Sequence, residues 1–137
     1  MNADIKRKIL NHPILYKLFV NLATIRYFFK NTTTVKGRNN VIQFKEGVLR
    51  KNVRIKINGH NNTLTIHPNC RLKNTTITIL GSNNQLTLGE KVMIYESGAF
   101  NFEGSNSYIE VGANTTIGSA ILIIGEGNTG IQIGEDC

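Results

Sequence analysis

The sequence predicts an all-β fold, in which a parallel β-helix with coils of about 22 residues follows an N-terminal amphipathic α-helical segment. One asparagine recurs along the chain at a nearly constant interval of about 22 residues. A short alternating apolar run follows each of these asparagines, and no helical period is present after residue 35. Self-similarity at a fixed period of this size is typical of a solenoid, a stack of equivalent coils. The recurring residues are Asn39, Asn61, Asn83, Asn106 and Asn128.

Residues 1–35 are predicted to form a helical cap or leader, and residues 36–137 the β-helix, with four coils and the start of a fifth. In the leader, apolar residues recur at steps of three and four, Pro13 suits the first helical turn, and Asn11 suits its cap. Two interpretations stay open, and one helix could satisfy both. The leader covers the open end of the stack, or residues 5–30 make a peripheral contact with an anionic membrane. The apolar residues are Ile14, Leu15, Leu18, Phe19, Leu22, Ile25, Phe28 and Phe29.

Three short apolar segments in each coil predict three faces around a narrow interior. One segment follows the repeated asparagine, as in Leu64 and Ile66, between which Thr65 faces outward. Gly and Asn at the corners suit bends with positive φ, and the repeated Asn is expected to stack as an amide ladder between coils. The third coil has one extra residue between Ile94 and Phe100, which predicts a local bulge.

The net charge of +7 is distributed unevenly along the chain. Residues 36–73 hold nine Lys or Arg against Glu46, whereas residues 74–137 hold Lys91 against seven acids. A nucleic-acid site would need basic residues on one face together with aromatic rings for stacking. Because these basic residues alternate with apolar ones, as on solvated strands, we expect no nucleic-acid partner.

The two cysteines predict a chain without disulfides. Cys70 and Cys137 fall in the same column of the repeat, three coils and about 14 Å apart. A disulfide requires Cα atoms within about 7 Å of each other. We therefore expect two unpaired thiols and a reducing compartment, the cytoplasm.

Several segments resemble the hexapeptide repeat, in which an aliphatic residue is followed by Gly and the pattern returns after six residues. The Gly-x-Asn-Asn corners resemble the early coils of bacterial capsule and lipopolysaccharide O-acetyltransferases. The resemblance covers about residues 37–137 and implies a left-handed parallel β-helix. The matching segments are Leu88-Gly-Glu-Lys-Val-Met-Ile94, Val111-Gly-Ala-Asn-Thr-Thr-Ile117-Gly and Ile133-Gly-Glu-Asp-Cys137.

The resemblance implies an acyltransferase that moves an acetyl group from acetyl-coenzyme A to a hydroxyl of a saccharide or lipid-linked glycan. In that family a His is the general base and a backbone N–H stabilises the oxyanion. The family usually forms homotrimers with coenzyme A between neighbouring stacks. Its catalytic His lies in further coils, within a segment resembling Asp-Ser-His. We therefore expect residues 1–137 alone to lack the base, and expect a cytoplasmic protein, peripheral to the inner membrane.

No residue of this sequence is assigned to catalysis or to coenzyme A, and no metal site is expected, since no metal-ligand cluster is present. His12 flanks the predicted helix start, His60 lies at a corner that also accepts Arg and Ser, and His67 precedes Pro68 in a turn. None of the three has a carboxylate partner in the repeat pattern.

Two other functions are compatible with coils of this length. One is a non-catalytic solenoid that serves as a scaffold or binding module, although an ice-binding array is disfavoured because Thr-x-Thr pairs do not repeat in one column. The other is a right-handed β-helix that acts on polysaccharides, because each coil is longer than three plain hexads. Such enzymes cluster Asp, Arg or Lys on one face, and the sequence predicts no such cluster.

Overall fold

The computed structural model describes Ile14 and residues 31–137, and the described chain is a parallel β-solenoid. Every strand pairs in parallel with the equivalent strand of the next coil, which confirms the predicted all-β stack. The strands are β1 (Thr32–Lys36), β2 (Val41–Phe44), β3 (Leu49–Lys51), β4 (Arg54–Asn58), β5 (Thr63–Ile66), β6 (Arg71–Lys73), β7 (Thr75–Leu80), β8 (Gln85–Leu88), β9 (Met93–Phe102), β10 (Tyr108–Val111), β11 (Thr116–Ile124) and β12 (Gly130–Ile133).

The strands form three faces, as the three apolar segments per coil predict. Face 1 contains β1, β4, β7 and the second parts of β9 and β11, and face 3 contains β3, β6 and the first parts of β9 and β11. Face 2 is the separate sheet of β2, β5, β8, β10 and β12. Faces 1 and 3 join into one sheet because β9 and β11 each continue across a corner.

The chain makes about five coils. We number them coil 1 (32–53), coil 2 (54–74), coil 3 (75–97), coil 4 (98–118) and coil 5 (119–137). β1 begins at Thr32 and pairs with β4 along its whole length, so the first coil starts ahead of residue 36. The predicted helix lies outside the described residues except for Ile14, whose side chain is 67% exposed.

The interior is a column of aliphatic and aromatic side chains supplied by alternate residues of each strand. In face 2, Leu64 pairs with Leu86 and Leu86 with Ile109, and all three are fully buried. Burial of one such side chain stabilises the fold by about 1.5–3 kcal/mol. Phe100 and Phe102 fill the interior at face 1 of coil 4. The repeated columns therefore act as one continuous core along the stack axis.

The extra residue of the third coil is a bulge in β9, as predicted. Leu72 pairs with Ile94, whereas Thr75 pairs with Gly98, so the sequence interval between paired residues grows by one position. The register between β9 and β11 also shifts between Ile117 and Ser119. The insertion is absorbed at a corner, so the core columns stay aligned on both sides of it.

Glycines at the corner between faces 1 and 2 allow successive coils to approach closely. Gly37, Gly59 and Gly81 have φ values of 116°, 152° and 125°, which side-chain-bearing residues rarely adopt. A Cβ atom added at Gly59 would overlap the carbonyl oxygen of Gly81 in the next coil. That contact is backbone, so no side chain can move to relieve the overlap.

We therefore expect Gly59→Ala to destabilise the protein by more than about 3 kcal/mol, since it combines backbone strain with an overlap that would separate two coils. The matched control is Gly118→Ala, because a Cβ at Gly118 meets no atom within 4 Å. Its expected effect is within about 1 kcal/mol. Urea unfolding followed by circular dichroism measures both variants, and equal stability of the two would contradict this account of the corner.

Candidate functional site

The corner between faces 1 and 2 is built on the repeated asparagines. Asn39, Asn61, Asn83, Asn106 and Asn128 have φ values between 57° and 59°, so all five occupy the left-handed region that Asn tolerates. Their equivalent position in successive coils confirms that the asparagine repeat marks one edge of the solenoid. These residues are exposed, and at the three middle corners the next residue, Asn62, Asn84 or Ser107, is buried.

The amide ladder runs mainly through the residue after each repeated asparagine. Asn62 is fully buried, and its Nδ2 donates to Asn40 Oδ1 at 3.0 Å and to the Gly81 carbonyl at 2.9 Å. Its Oδ1 accepts the Asn84 N–H at 2.9 Å. Asn84 repeats the pattern toward Gly104 and Ser107 of the next coil. The ladder was predicted on the repeated asparagines, where Asn83 Nδ2 donates to Asn106 Oδ1 at 3.0 Å. The continuous ladder lies one position further along, on the inner asparagines, which corrects the prediction.

A second corner, between faces 2 and 3, uses a column that the sequence pattern did not single out. Its residues differ in type, yet all adopt positive φ between 55° and 73°. Asn114 and its equivalents keep the same interval as the repeated asparagines, which is the signal that could have revealed them. The column consists of Gly47, Asn69, Lys91, Asn114 and Asp136.

Neither described histidine is arranged as a general base. The Nδ1 of His60 accepts the Arg38 N–H at 2.9 Å, and Ser82 Oγ accepts the His60 N–H at 3.0 Å. His60 is therefore one step of a polar corner ladder between coils. His67 is half-buried in a turn, and neither residue has an ion pair with a carboxylate of the described chain. The prediction for His12 lies outside the described residues.

The two cysteines differ in environment and are both free. Cys70 lies in the interior, where its Sγ donates to the Gly89 carbonyl at 3.0 Å. Desolvation by burial raises the pKa of the Cys70 thiol, which keeps it protonated and unreactive. Cys137 is exposed at the far end of the stack.

A shallow groove with a volume of about 260 Å³ lies on face 3 and is lined by several basic residues. Lys51, Arg71 and Lys73 project along its strands, and the half-exposed ring of Tyr95 borders it. Arg50 enters from the inner side, where its guanidinium lies 4.0 Å from the centre of the Phe44 ring. Burial lowers the pKa of Arg50, and stacking on the ring offsets part of the cost of desolvating its charge.

This groove suits an anionic ligand, because its cations come from neighbouring coils about 4.8 Å apart. The groove is not evident from the sequence, because its residues lie a full coil apart in the chain and meet only when the coils stack. A smaller depression of about 180 Å³ on face 2 is lined by Gln85, Thr87, Tyr108 and Glu110. In this depression Thr87 Oγ1 accepts a hydrogen bond from Gln85 Nε2 at 3.2 Å.

No family model, curated protein or solved structure matches the chain. Within residues 31–137, no group of three or more His, Cys, Asp or Glu side chains is placed to hold a metal ion. In the same part of the chain, no helix is long and apolar enough to cross a membrane.

Because Asn62 satisfies polar groups of two neighbouring coils, we expect Asn62→Ala to destabilise the protein by about 3 kcal/mol or more. The substitution leaves the buried Asn84 N–H and the half-buried Gly81 carbonyl without their partners. Asn61→Gly is the matched control. Glycine adopts the same left-handed backbone conformation, and water can hydrogen-bond to the groups at this exposed position once the Asn61 amide is removed.

The control should change the free energy of unfolding by no more than about 1 kcal/mol. Chemical denaturation of the purified variants gives both values. A loss for Asn61→Gly as large as that for Asn62→Ala would mean that the outer asparagine, not the inner ladder, holds the corner together.

Proposed function

We propose that these coils are the scaffold of a hexapeptide-repeat saccharide O-acetyltransferase with a left-handed β-helix. The supporting observation is how the hexads sit in the fold. Leu88 and Ile94 are both buried and lie on successive faces of one coil, and Val111 and Ile117 do the same one coil further along. Lys91 and Asn114 make the corner bend within each hexad. Each hexad thus corresponds to one face and one corner, as the resemblance to the family implies.

The proposed reaction transfers an acetyl group from acetyl-coenzyme A to a hydroxyl of a capsule or lipopolysaccharide glycan. A general base takes the hydroxyl proton as the oxygen attacks the thioester carbonyl and forms the new C–O bond. The C–S bond then breaks, and the base returns the proton to the sulfur, so coenzyme A leaves as the thiol. The Nδ1 of His60 is already engaged with Arg38, and no carboxylate of the described chain orients His67. The proposal therefore takes the base from outside residues 31–137.

A trimer is part of the same proposal, with acetyl-coenzyme A held between neighbouring stacks. Ile121 and Ile123 point outward from face 1 of coil 5 and are 68% and 55% exposed. Such side chains are favourable at a subunit interface and unfavourable in water. A cytoplasmic location, peripheral to the inner membrane, completes the proposal, and the two free thiols are consistent with it.

A second candidate is a non-catalytic module that binds an acidic saccharide through the face 3 groove. The stacked cations of Lys51, Arg71 and Lys73 favour it, because their spacing along the stack suits repeated negative charges. The two candidates differ in their ligands. The first requires acetyl-coenzyme A and loss of acetate esters when the gene is absent, whereas the second requires neither.

The acetyltransferase proposal is tested by two measurements: binding of acetyl-coenzyme A to the purified chain, and the acetate content of surface glycans. Calorimetric titration of the purified chain with acetyl-coenzyme A should show saturable binding, and cells that lack the gene should lose alkali-labile acetate from their surface glycans. Adenosine diphosphate is the ligand control, because it carries phosphates without the pantetheine arm or thioester. Unchanged glycan acetate in the deletion strain, together with no binding, would overturn the proposal.

A further inference from the structure

The net charge of the coils changes in one direction along the stack. Coil 1 carries five Lys or Arg against Glu46, and coil 2 carries four with no acid. Coil 3 has Lys91 against two acids, coil 4 has two acids alone, and coil 5 has three. Since coils stack about 4.8 Å apart, these charges are separated over about 19 Å between the first and last coils. The solenoid is therefore an axial electric dipole with a basic end.

The cations of the basic end surround the stack instead of lining one face. Lys36 ends β1 on face 1, Arg38 lies at the corner that follows, and Lys45 follows β2 at the next corner. Lys51 ends β3 on face 3. A linear polyanion lying along the solenoid would contact only one face. A ring of cations around one end instead fits a planar anionic surface that the stack meets end-on.

Apolar side chains are exposed at the same end. Val41 and Leu49 lie on the outer surface of coil 1 and are 42% and 60% exposed, and Val35 is 43% exposed. Lysine or arginine beside exposed aliphatic groups is the composition that favours the interface of an anionic bilayer.

We propose that coil 1 and coil 2 dock end-on against a bilayer that contains anionic lipids, with the acidic coils directed away from it. Attraction acts on the basic end within a Debye length of about 8–10 Å, and coil 5 lies roughly two such lengths away. The dipole thus sets an orientation as well as an affinity. This contact rests on the peripheral membrane location proposed above but not on the acetyl transfer, because it involves neither coenzyme A nor a base. Loss of vesicle binding would therefore leave the acetyl transfer unaffected.

Co-sedimentation of the full chain with phosphatidylcholine vesicles, with and without phosphatidylglycerol, measures the affinity. The variant Lys36→Gln, Arg38→Gln, Lys45→Gln removes three cations from coil 1 and should weaken binding to the anionic vesicles about a hundredfold. The control Glu126→Gln, Glu135→Gln, Asp136→Asn changes the net charge by the same magnitude in the opposite direction at coil 5, and it should alter binding less than about threefold. Matching circular dichroism spectra establish that both variants fold.

The orientation of the solenoid on the bilayer is measured by fluorescence quenching. A fluorophore at Val41→Cys, in a Cys137→Ser background, should be quenched by lipids with nitroxide headgroups, and one on the exposed native Cys137 should not. Binding by the coil 1 variant equal to that of the wild type would overturn the proposal, as would equal quenching at both sites. Binding that dextran sulfate supports but anionic vesicles do not would assign the basic end to an acidic polysaccharide and would also overturn it.

Discussion

The stack depends on one constraint: each buried polar group at a corner must find its partner in a neighbouring coil. Asn62 meets this requirement by bonding to Asn40 on one side and to Gly81 and Asn84 on the other. No buried side-chain nitrogen or oxygen of the described residues is left without a hydrogen bond. A shift of one residue in any coil would break these bonds and turn an apolar column outward. The near-constant length of the coils follows from this requirement.

Much of the fold was predictable because a solenoid converts distance in sequence into distance along its axis. The repeated asparagines located one edge, the alternating pairs located the inward-facing columns, and the extra residue located the bulge in β9. Each of these features is set by residues of one coil and its immediate neighbours. The coil that begins at Thr32 was less evident, because Thr33 and Val35 lie at the end of the stack and are exposed.

The features that sequence reasoning missed depend on backbone conformation or on side chains from different coils. The five residues at the corner between faces 2 and 3 all have positive φ but are not of one type. Only their regular spacing of about one coil in the sequence marks this corner. Asn61 and Asn62 are the same amino acid, yet Asn61 is exposed and Asn62 is buried. The difference arises because the left-handed bend of the backbone lies at Asn61. The groove on face 3 exists only after Lys51, Arg71 and Tyr95 of three coils are stacked.

The interior and the outer surface of the solenoid have different roles. The interior and corners supply stability, which leaves the outer surface available for the ligand, subunit and membrane contacts proposed above. The charge of the stack follows the same division, with cations in the first two coils and acids in the last three. The proposed acyl transfer needs the faces between stacks, whereas the proposed membrane contact needs one end. Both uses can therefore coexist on one solenoid without competing for the same surface.

The inner ladder can be measured directly by the exchange of side-chain amide protons with deuterated solvent, followed by nuclear magnetic resonance. The Nδ2 protons of Asn62 and Asn84 are expected to exchange far more slowly than those of Asn39 and Asn61, because the former are buried and bonded between coils. Equally fast exchange at all four asparagines would show that the coils are not held in register by this ladder, and would contradict the account of the stack.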